Sequence, residues 1–220
     1  MSENLSELSL RLVDIGRRFY ERGWVLGTSG NLSQVLSREP LRLAVTASGA
    51  HKGRLDPREI LVIDDGAAAA DGAPLRPSNE CLLHLEVART RGAGAVLHTH
   101  SVWSTLLSDQ HAAEGGLAIE GYEMLKGLEG VRTHEHREWV PIIDNTQDIE
   151  ALVRRVSRAL SAHPSAHGFL IRRHGLYTWG ADLAQAERHV EILEFLLEAI
   201  GRARALGQPV LPGPARPREV

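Results

Sequence analysis

Cysteine is almost absent from this chain. Cys81 is the sole cysteine among 220 residues, so no disulfide can form within one chain, and a metal site would have to be built from histidine and carboxylate ligands. The sequence contains eleven histidines, which makes such a site possible.

Long apolar runs and blocks of one charge are also missing. No run reaches the roughly 18 apolar residues of a membrane helix, and the first residues lack the basic-then-apolar profile of a signal peptide. The net charge is −3 and the isoelectric point is about 6.4, with no cluster of Lys or Arg that could follow a nucleic-acid backbone or an anionic membrane. We therefore expect a cytoplasmic protein with neither a nucleic-acid nor a membrane partner.

The apolar patterns predict one α/β domain over residues 1–206, followed by a Pro-rich tail at 207–220. Spacings of three and four residues are typical of helices, and short branched apolar runs bounded by Gly, Asp or Pro are typical of strands. Helices are predicted from Leu5 until Gly23, from Ser78 to about 91, near Trp103, and at 148–162 and 183–206. Strands are predicted at 41–46, 60–63, 93–100, 139–143, 169–172 and 176–179.

Two histidines stand two apart in the predicted strand that contains Val96-Leu97-His98-Thr99-His100. Residues i and i+2 of a strand project from the same face, so both imidazoles can reach one ion. His174, followed by Gly175, supplies a third imidazole at the edge between a strand and a turn, where glycine would let the backbone bend. Three histidines without a thiolate are typical of a catalytic zinc site that keeps one position open.

A second pair with the same spacing is His134 and His136, in the segment RTHEHREW. This segment has no apolar residues to form a buried strand, so a solvated loop is the favoured interpretation. The six other histidines have no partner at ligand spacing, and we expect surface or packing roles for them.

Three short segments have the composition of an anion-binding cradle: Thr28-Ser29-Gly30-Asn31, Thr46-Ala47-Ser48-Gly49 with Lys52 beyond it, and Pro77-Ser78-Asn79 at a predicted helix start. Glycine lets backbone N–H groups approach an oxyanion, hydroxyl groups add donors, and a helix N-terminus adds its positive dipole end. Each segment alone is also typical of an ordinary turn or cap.

Two carboxylates are candidates for proton transfer beside a metal. Glu80 lies at the start of the helix that leads into the His98 strand, and Glu123 lies in the otherwise weakly charged segment GYEMLKG. The structural alternatives are a helix N-terminal carboxylate for Glu80 and an exposed partner of Lys126 for Glu123. Spacing alone does not separate the alternatives.

With these motifs in view, the chain resembles the class II aldolase and adducin family over nearly everything from Leu5 to Leu206. The His-X-His pair and the later His-Gly are typical of the family, and two motifs, YEMLKG (122–127) and RRHGLYTWG (172–180), are similar to its dehydratase branch. Further motifs of the resemblance are TSGNLS (28–33), TASGAHKG (46–53), AVLHTHS (95–101) and VPIIDNT (140–146).

The resemblance implies a three-layer α/β/α fold with a mainly antiparallel central sheet, and a homotetramer whose sites lie near subunit interfaces. It implies one Zn²⁺ per subunit on His98, His100 and His174. For the substrate, a small phosphorylated ketose, it implies a phosphate site at the following residues: Gly30, Asn31, Ser48, Gly49, Lys52 and Ser78. Sugar-phosphate aldolases of the family use a glutamate in the segment that matches 77–80 for proton transfer. The resemblance to the dehydratase branch instead gives this role to Glu123.

The chemistry expected from this resemblance is a dehydration in which Glu123 removes a proton next to a carbonyl group, with Glu80 as the other candidate. The alternatives are an aldolase or epimerase of the same family, and a non-catalytic assembly module like adducin. The three histidines argue against the assembly module.

Overall fold

The computed structural model describes residues 5–69 and 75–207. The helices of this part are α1 (Leu5–Glu21), α2 (Cys81–Arg91), α3 (Val102–Gln110), α4 (Ile149–Ala162) and α5 (Leu183–Ala205). The strands are β1 (Asn31–Arg38), β2 (Leu41–Thr46), β3 (Ile60–Ile63), β4 (Ala95–Thr99), β5 (Gly116–Ile119), β6 (Glu138–Ile143), β7 (Gly168–Ile171) and β8 (Gly175–Gly180). Short 3-10 helices lie at Lys52–Arg54, Pro57–Glu59 and Glu123–Gly127.

The strands form one sheet in the order β3-β2-β1-β4-β8-β7-β6-β5. Neighbouring strands are antiparallel except for β6 and β7, which are parallel. The prediction of a mainly antiparallel sheet is therefore confirmed, with one parallel pair.

The helices cover the two faces of the sheet. Alternate side chains of a strand point to opposite faces, and β4 shows this well: Leu97 packs in a cluster with α1 and α5, whereas Val96 packs in a cluster with α2 and α4. Helix α3 packs against α5, which places α1, α3 and α5 on one face. The result is the expected three-layer α/β/α arrangement.

Several boundaries differ from the sequence prediction. Ser78 does not cap α2, because the helix begins at Cys81 after Glu80, and the Ser78 hydroxyl oxygen instead accepts a hydrogen bond from the Glu80 N–H at 3.2 Å. Strands β1 and β5 were not predicted, and the predicted tail at 207–220 lies outside the described residues apart from Gly207. Within the described part of the chain, no helix combines the length and the apolar character that crossing a membrane requires.

Candidate metal centre and anion cleft

Three imidazole nitrogens meet at the C-terminal end of β4. The Nε2 atoms of His98 and His100 are 2.8 Å apart, and Nε2 of His174 lies 3.3 Å from the first and 3.2 Å from the second. Ligand atoms about 2.0–2.1 Å from a tetrahedral zinc ion stand about 3.3–3.4 Å from one another. The two distances to His174 are close to this spacing, whereas the Nε2 atoms of His98 and His100 are closer together than ligands of one tetrahedral zinc ion would be.

His98 is oriented by its second ring nitrogen. The Nδ1 atom lies 2.8 Å from the Leu176 carbonyl oxygen, and donation of a proton there leaves Nε2 with a free lone pair, the form that binds metals. Burial is the main cause that lowers the pKa of His98 well below its usual value, and it lowers the pKa of His100 to about 4. Both rings are thus neutral near pH 7, as metal ligands must be.

His174 comes from the turn between β7 and β8, where the structure corrects the role expected for Gly175. The residue with the left-handed backbone conformation is Arg173, with φ +55°. Gly175 is instead the first residue of β8, and a Cβ atom there would lie 1.9 Å from the Thr99 carbonyl oxygen. Glycine is needed because β8 approaches β4 closely at the metal centre.

Glu80 joins the three histidines. Its Oε1 atom lies 3.0 Å from Nε2 of His174 and 3.8 Å from Nε2 of His98, and one ligand atom from each of the four side chains falls within 4.8 Å of the others. Burial alone would raise the pKa of Glu80, but the hydrogen bond with His174 and the nearby imidazoles outweigh burial and lower the pKa to about 2. A group of this composition could hold a divalent metal ion.

Beside the histidines lies a cleft of about 280 Å³ that is lined by segments from three parts of the chain. Five of the six predicted phosphate-binding residues line it together with Glu80 and His100: Gly30, Asn31, Ser48, Gly49 and Ser78. The structure therefore brings the three cradle segments together next to the metal centre.

Two residues at the base of the cleft connect the cradle to the metal centre. Gly30 has φ +74°, and a Cβ atom there would lie 2.7 Å from the His98 carbonyl oxygen, so only glycine fits. Asn31 pairs with His98 across β1 and β4, and its Nδ2 donates to Oε2 of Glu80 at 2.5 Å. The position of the carboxylate is thus set by the strand that carries the cradle.

Lys52, the sixth predicted phosphate-binding residue, does not line this cleft. Its side chain is 1% exposed, and Nζ donates to the carbonyl oxygens of Ala50 at 2.8 Å and Thr28 at 3.4 Å. Burial, partly offset by Glu59 and Glu80, lowers the pKa of Lys52 to about 8.

Glu123, the other predicted proton carrier, is not brought to this cleft within one chain. It lies at the start of the 3-10 helix Glu123–Gly127 with a side chain that is 69% exposed and paired with Lys126. The ion pair with Lys126 is the main cause that lowers its pKa.

A residue that the sequence analysis missed is Tyr177. Its ring stacks on the His98 ring with centroids 3.8 Å apart, and Phe169 stacks on its other side at 4.9 Å. The three residues lie in register across β4, β8 and β7. The alternation of side chains along β8 could have placed Tyr177 on this face, but the pairing of β8 with β4 could not be read from the sequence.

A second group of histidines lies elsewhere, beside a larger cleft of about 620 Å³. The buried Glu138 accepts hydrogen bonds at Oε2 from Nε2 of His136 at 2.9 Å and from Nδ1 of His167 at 3.0 Å. Nε2 of His167 donates to the Glu129 carbonyl oxygen at 2.9 Å. His134, the other member of the HEH motif, is an exposed loop residue, as expected.

The comparisons with known proteins agree with this fold. Residues 10–200 match the family described as "Class II Aldolase and Adducin N-terminal domain". A crystal structure of YgbL from Escherichia coli, described as a putative aldolase/epimerase/decarboxylase, superposes with a TM-score of 0.73 at 25% identity and covers 90% of each chain. The chain belongs to the class II aldolase and adducin family.

Curated relatives narrow the class of enzyme. A methylthioribulose-1-phosphate dehydratase from Sorangium cellulosum is 42% identical over 89% of this chain and 92% of its own length. One from Pseudomonas savastanoi pv. phaseolicola is 45% identical over 91% of this chain and 97% of its own length. Because these relatives are dehydratases and match nearly the whole chain, the chain is an enzyme of the lyase class.

Proposed function

We propose that this protein removes water from 5-methylthioribulose 1-phosphate to give 2,3-diketo-5-methylthiopentyl 1-phosphate, a step of methionine salvage. The observation that carries the proposal is the placement of the cleft lined by the cradle segments directly beside the cluster of three histidines and Glu80. One end of a phosphorylated ketose can then bind in the cradle while its carbonyl end faces the histidines.

The residues present fit a zinc ion held by His98, His100 and His174, one per chain. Three imidazoles without a thiolate leave a coordination position open, as catalytic zinc sites do. When bound, a divalent ion at this position supplies Lewis-acid stabilisation of negative charge on the substrate's carbonyl oxygen.

The cradle is suited to the phosphate group. Gly30 and Gly49 both have positive φ values, a backbone conformation that residues with side chains rarely adopt and that can turn backbone N–H groups toward an oxyanion. The hydroxyl groups of Ser48 and Ser78 add neutral donors. In this arrangement, phosphate binding orients the substrate before any proton moves.

Proton transfer needs a carboxylate near C3 of the substrate. We propose Glu80, which the fold holds at the cluster in ionised form, as the base that takes the C3 proton. The C4 hydroxyl group then leaves as water after protonation by the same carboxyl group, and the resulting enol tautomerises to the diketone. Glu123 is the alternative, and as an exposed residue it would serve a cleft from a neighbouring chain of the homotetramer or after a movement of its segment.

A direct assay separates this reaction from that of an aldolase. Purified protein would be incubated with 5-methylthioribulose 1-phosphate while the ultraviolet absorbance of the enol or diketone is followed and the products are analysed. We expect a product with an intact carbon skeleton and one water fewer. Release of two carbon fragments would favour the aldolase alternative, and no reaction with no bound metal would favour the assembly module.

The cytoplasmic location and the homotetramer stay predictions. Size-exclusion chromatography with light scattering would test the tetramer, and it would also show whether Glu123 has a neighbouring chain to serve.

A further inference from the structure

Lys52 is a buried cation, and no carboxylate of residues 5–69 or 75–207 lies at ion-pair distance from its ammonium group. Its side chain is 1% exposed, and the ion pairs between described residues join carboxylates to other basic side chains such as Lys126 and His174. Glu59 and Glu80 act on it only through their longer-range charge. Burying a charge is costly unless an opposite charge or several hydrogen bonds offset the lost hydration.

The two acceptors of Lys52 belong to two different segments of the cradle. The Thr28 carbonyl oxygen precedes Ser29 and Gly30 in the first segment, and the Ala50 carbonyl oxygen follows Ser48 and Gly49 in the second. One ammonium group therefore links both segments from behind, while the residues that face the cleft are their neighbours.

The backbone of Lys52 is itself supported by α1. A Cβ atom at Gly16 would lie 3.1 Å from the Lys52 carbonyl oxygen, so the helix packs closely on this segment. The adjacent Gly53 packs against the Tyr20 ring in the same way. The backbone that carries the Lys52 side chain is therefore closely packed against α1.

We propose that Lys52 is a positioning residue for the anion cradle, which fixes the spacing of the Thr28 and Ala50 segments and supplies positive charge beneath the cleft without contacting the anion. A phosphate group in the cleft would provide the negative charge that the buried ammonium group lacks. The inference rests on the proposed function only in that the cleft takes a phosphate group.

The test is titration of inorganic phosphate into the metal-loaded protein, followed by isothermal calorimetry. Lys52→Met removes the charge and the hydrogen bonds at nearly constant volume, and we expect the dissociation constant to rise about tenfold, which is about 1.4 kcal/mol. The matched control is Arg54→Met, which removes an exposed positive charge from the same short helix. The control is expected to change the dissociation constant less than about twofold, because an exposed charge is screened by solvent.

A second variant guards against loss of folding. Lys52→Gln keeps N–H donors on a side chain one bond shorter, and we expect it to bind phosphate less tightly than wild type and more tightly than Lys52→Met. In turnover, both variants should raise KM more than they lower kcat, with metal content unchanged. A role in stability alone would lower the melting temperature and leave the phosphate affinity of the folded protein intact.

Two results would overturn the proposal. One is equal phosphate affinity in wild type and both Lys52 variants, including no measurable affinity in any of them. The other is a crystal structure with phosphate in the cleft and the Lys52 ammonium group in contact with it. Phosphate binding that depends on Lys52, without turnover of the sugar phosphate, would refute the proposed reaction and support the role of Lys52.

Discussion

The described part of the chain contains a group of histidines around the half-buried Glu80 and another around the buried Glu138, and the two groups differ in what their ring nitrogens face. In the metal centre, Nε2 atoms of three histidines face one another within 3.3 Å, while Nδ1 of His98 is engaged by a backbone carbonyl. In the second group, Nδ1 of His167 faces Glu138 and Nε2 faces the Glu129 carbonyl oxygen. The first arrangement points three Nε2 atoms at one another, as the ligands of one ion would be arranged, whereas the second uses both ring nitrogens of His167 in hydrogen bonds within the protein.

The electrostatics of the two groups differ in the same sense. Burial lowers the pKa of His98 and His100 and keeps them neutral. For His167, burial alone would lower the pKa, but the hydrogen bond and ion pair with Glu138 outweigh it and raise the pKa. The His-X-His spacing is the same in residues 98–100 and 134–136, so spacing alone does not distinguish a metal site from a structural ion pair. The groups that face each ring nitrogen do distinguish the two.

Among the variants that separate the two histidine groups, His98→Ala is expected to have the largest effect on metal content and activity. Removing one of three imidazole ligands leaves only two, so we expect loss of bound metal and a fall in kcat/KM of roughly a thousandfold or more. Metal per chain, measured by plasma mass spectrometry, and steady-state kinetics check both. His136→Ala in the second group is the matched control, and the comparison breaks if that variant loses its metal as well.

Glu80→Gln is expected to lower kcat about 100- to 10,000-fold, because general acid–base catalysis contributes this range and the amide cannot take a proton. Its metal content should stay close to that of wild type. Glu123→Gln is the matched variant, measured in the same assay. A larger loss of kcat in Glu123→Gln would move the proton transfer to that residue and to a neighbouring chain.

A moderate effect on stability alone is expected for Glu138→Gln in the second group. Removing a buried ionised acceptor should lower the free energy of unfolding by roughly 1–3 kcal/mol, with metal content and kcat unchanged. Chemical denaturation followed by circular dichroism measures the change. Loss of metal in this variant would contradict a purely structural role.

The sign of the pH dependence follows from the two pKa shifts. Because the pKa of Glu138 is lowered, its ionised form increases the free energy of unfolding above the unfolded pKa of 4.5. This stabilisation is lost as pH falls through the folded pKa. Because the pKa of His167 is raised, its protonated form increases the free energy of unfolding below the unfolded pKa of 6.5. This stabilisation is lost as pH rises through the folded pKa. The difference in stability between wild type and Glu138→Gln should therefore be greatest between pH 4.5 and 6.5.

The smallest expected effect concerns the pH dependence of phosphate binding at the cleft. Burial lowers the pKa of Lys52 to about 8, with Glu59 and Glu80 opposing the shift, and the neighbouring His100 is already neutral there. As pH rises through about 8, the ammonium charge is lost and phosphate affinity should fall by up to about tenfold. Calorimetric titrations at a series of pH values test this, and Lys52→Met should show no such fall.

The apolar runs predicted an α/β domain and most of its strands, whereas the layered arrangement was expected from the family resemblance. Residues 41–46 and 60–63 were predicted with the bounds that the structure gives. Strand β1 was not predicted because most residues of NLSQVLSR are polar, and its first residue was interpreted as part of an anion-binding loop. Strand β5 (GLAI) is as short as β3 (ILVI), but it contains glycine and alanine in place of branched apolar residues.

Within the candidate site, the residue types were predictable and their connections were not. The histidines and cradle segments were found from composition and spacing, but their meeting depends on the order of strands in the sheet. The stacking of Tyr177 on His98 and the burial of Lys52 behind the cradle depend on packing between segments far apart in the chain. No local pattern in the sequence encodes such contacts.

The central claim is that three imidazoles hold one catalytic metal ion beside a phosphate cleft. Anomalous diffraction from crystals of the zinc-loaded protein, recorded on both sides of the zinc absorption edge, tests it most directly. We expect one peak per chain at about 2.0–2.1 Å from Nε2 of His98, His100 and His174. A peak at Glu138 and His167 instead, or a fully active protein with no peak at the three histidines, would contradict the claim.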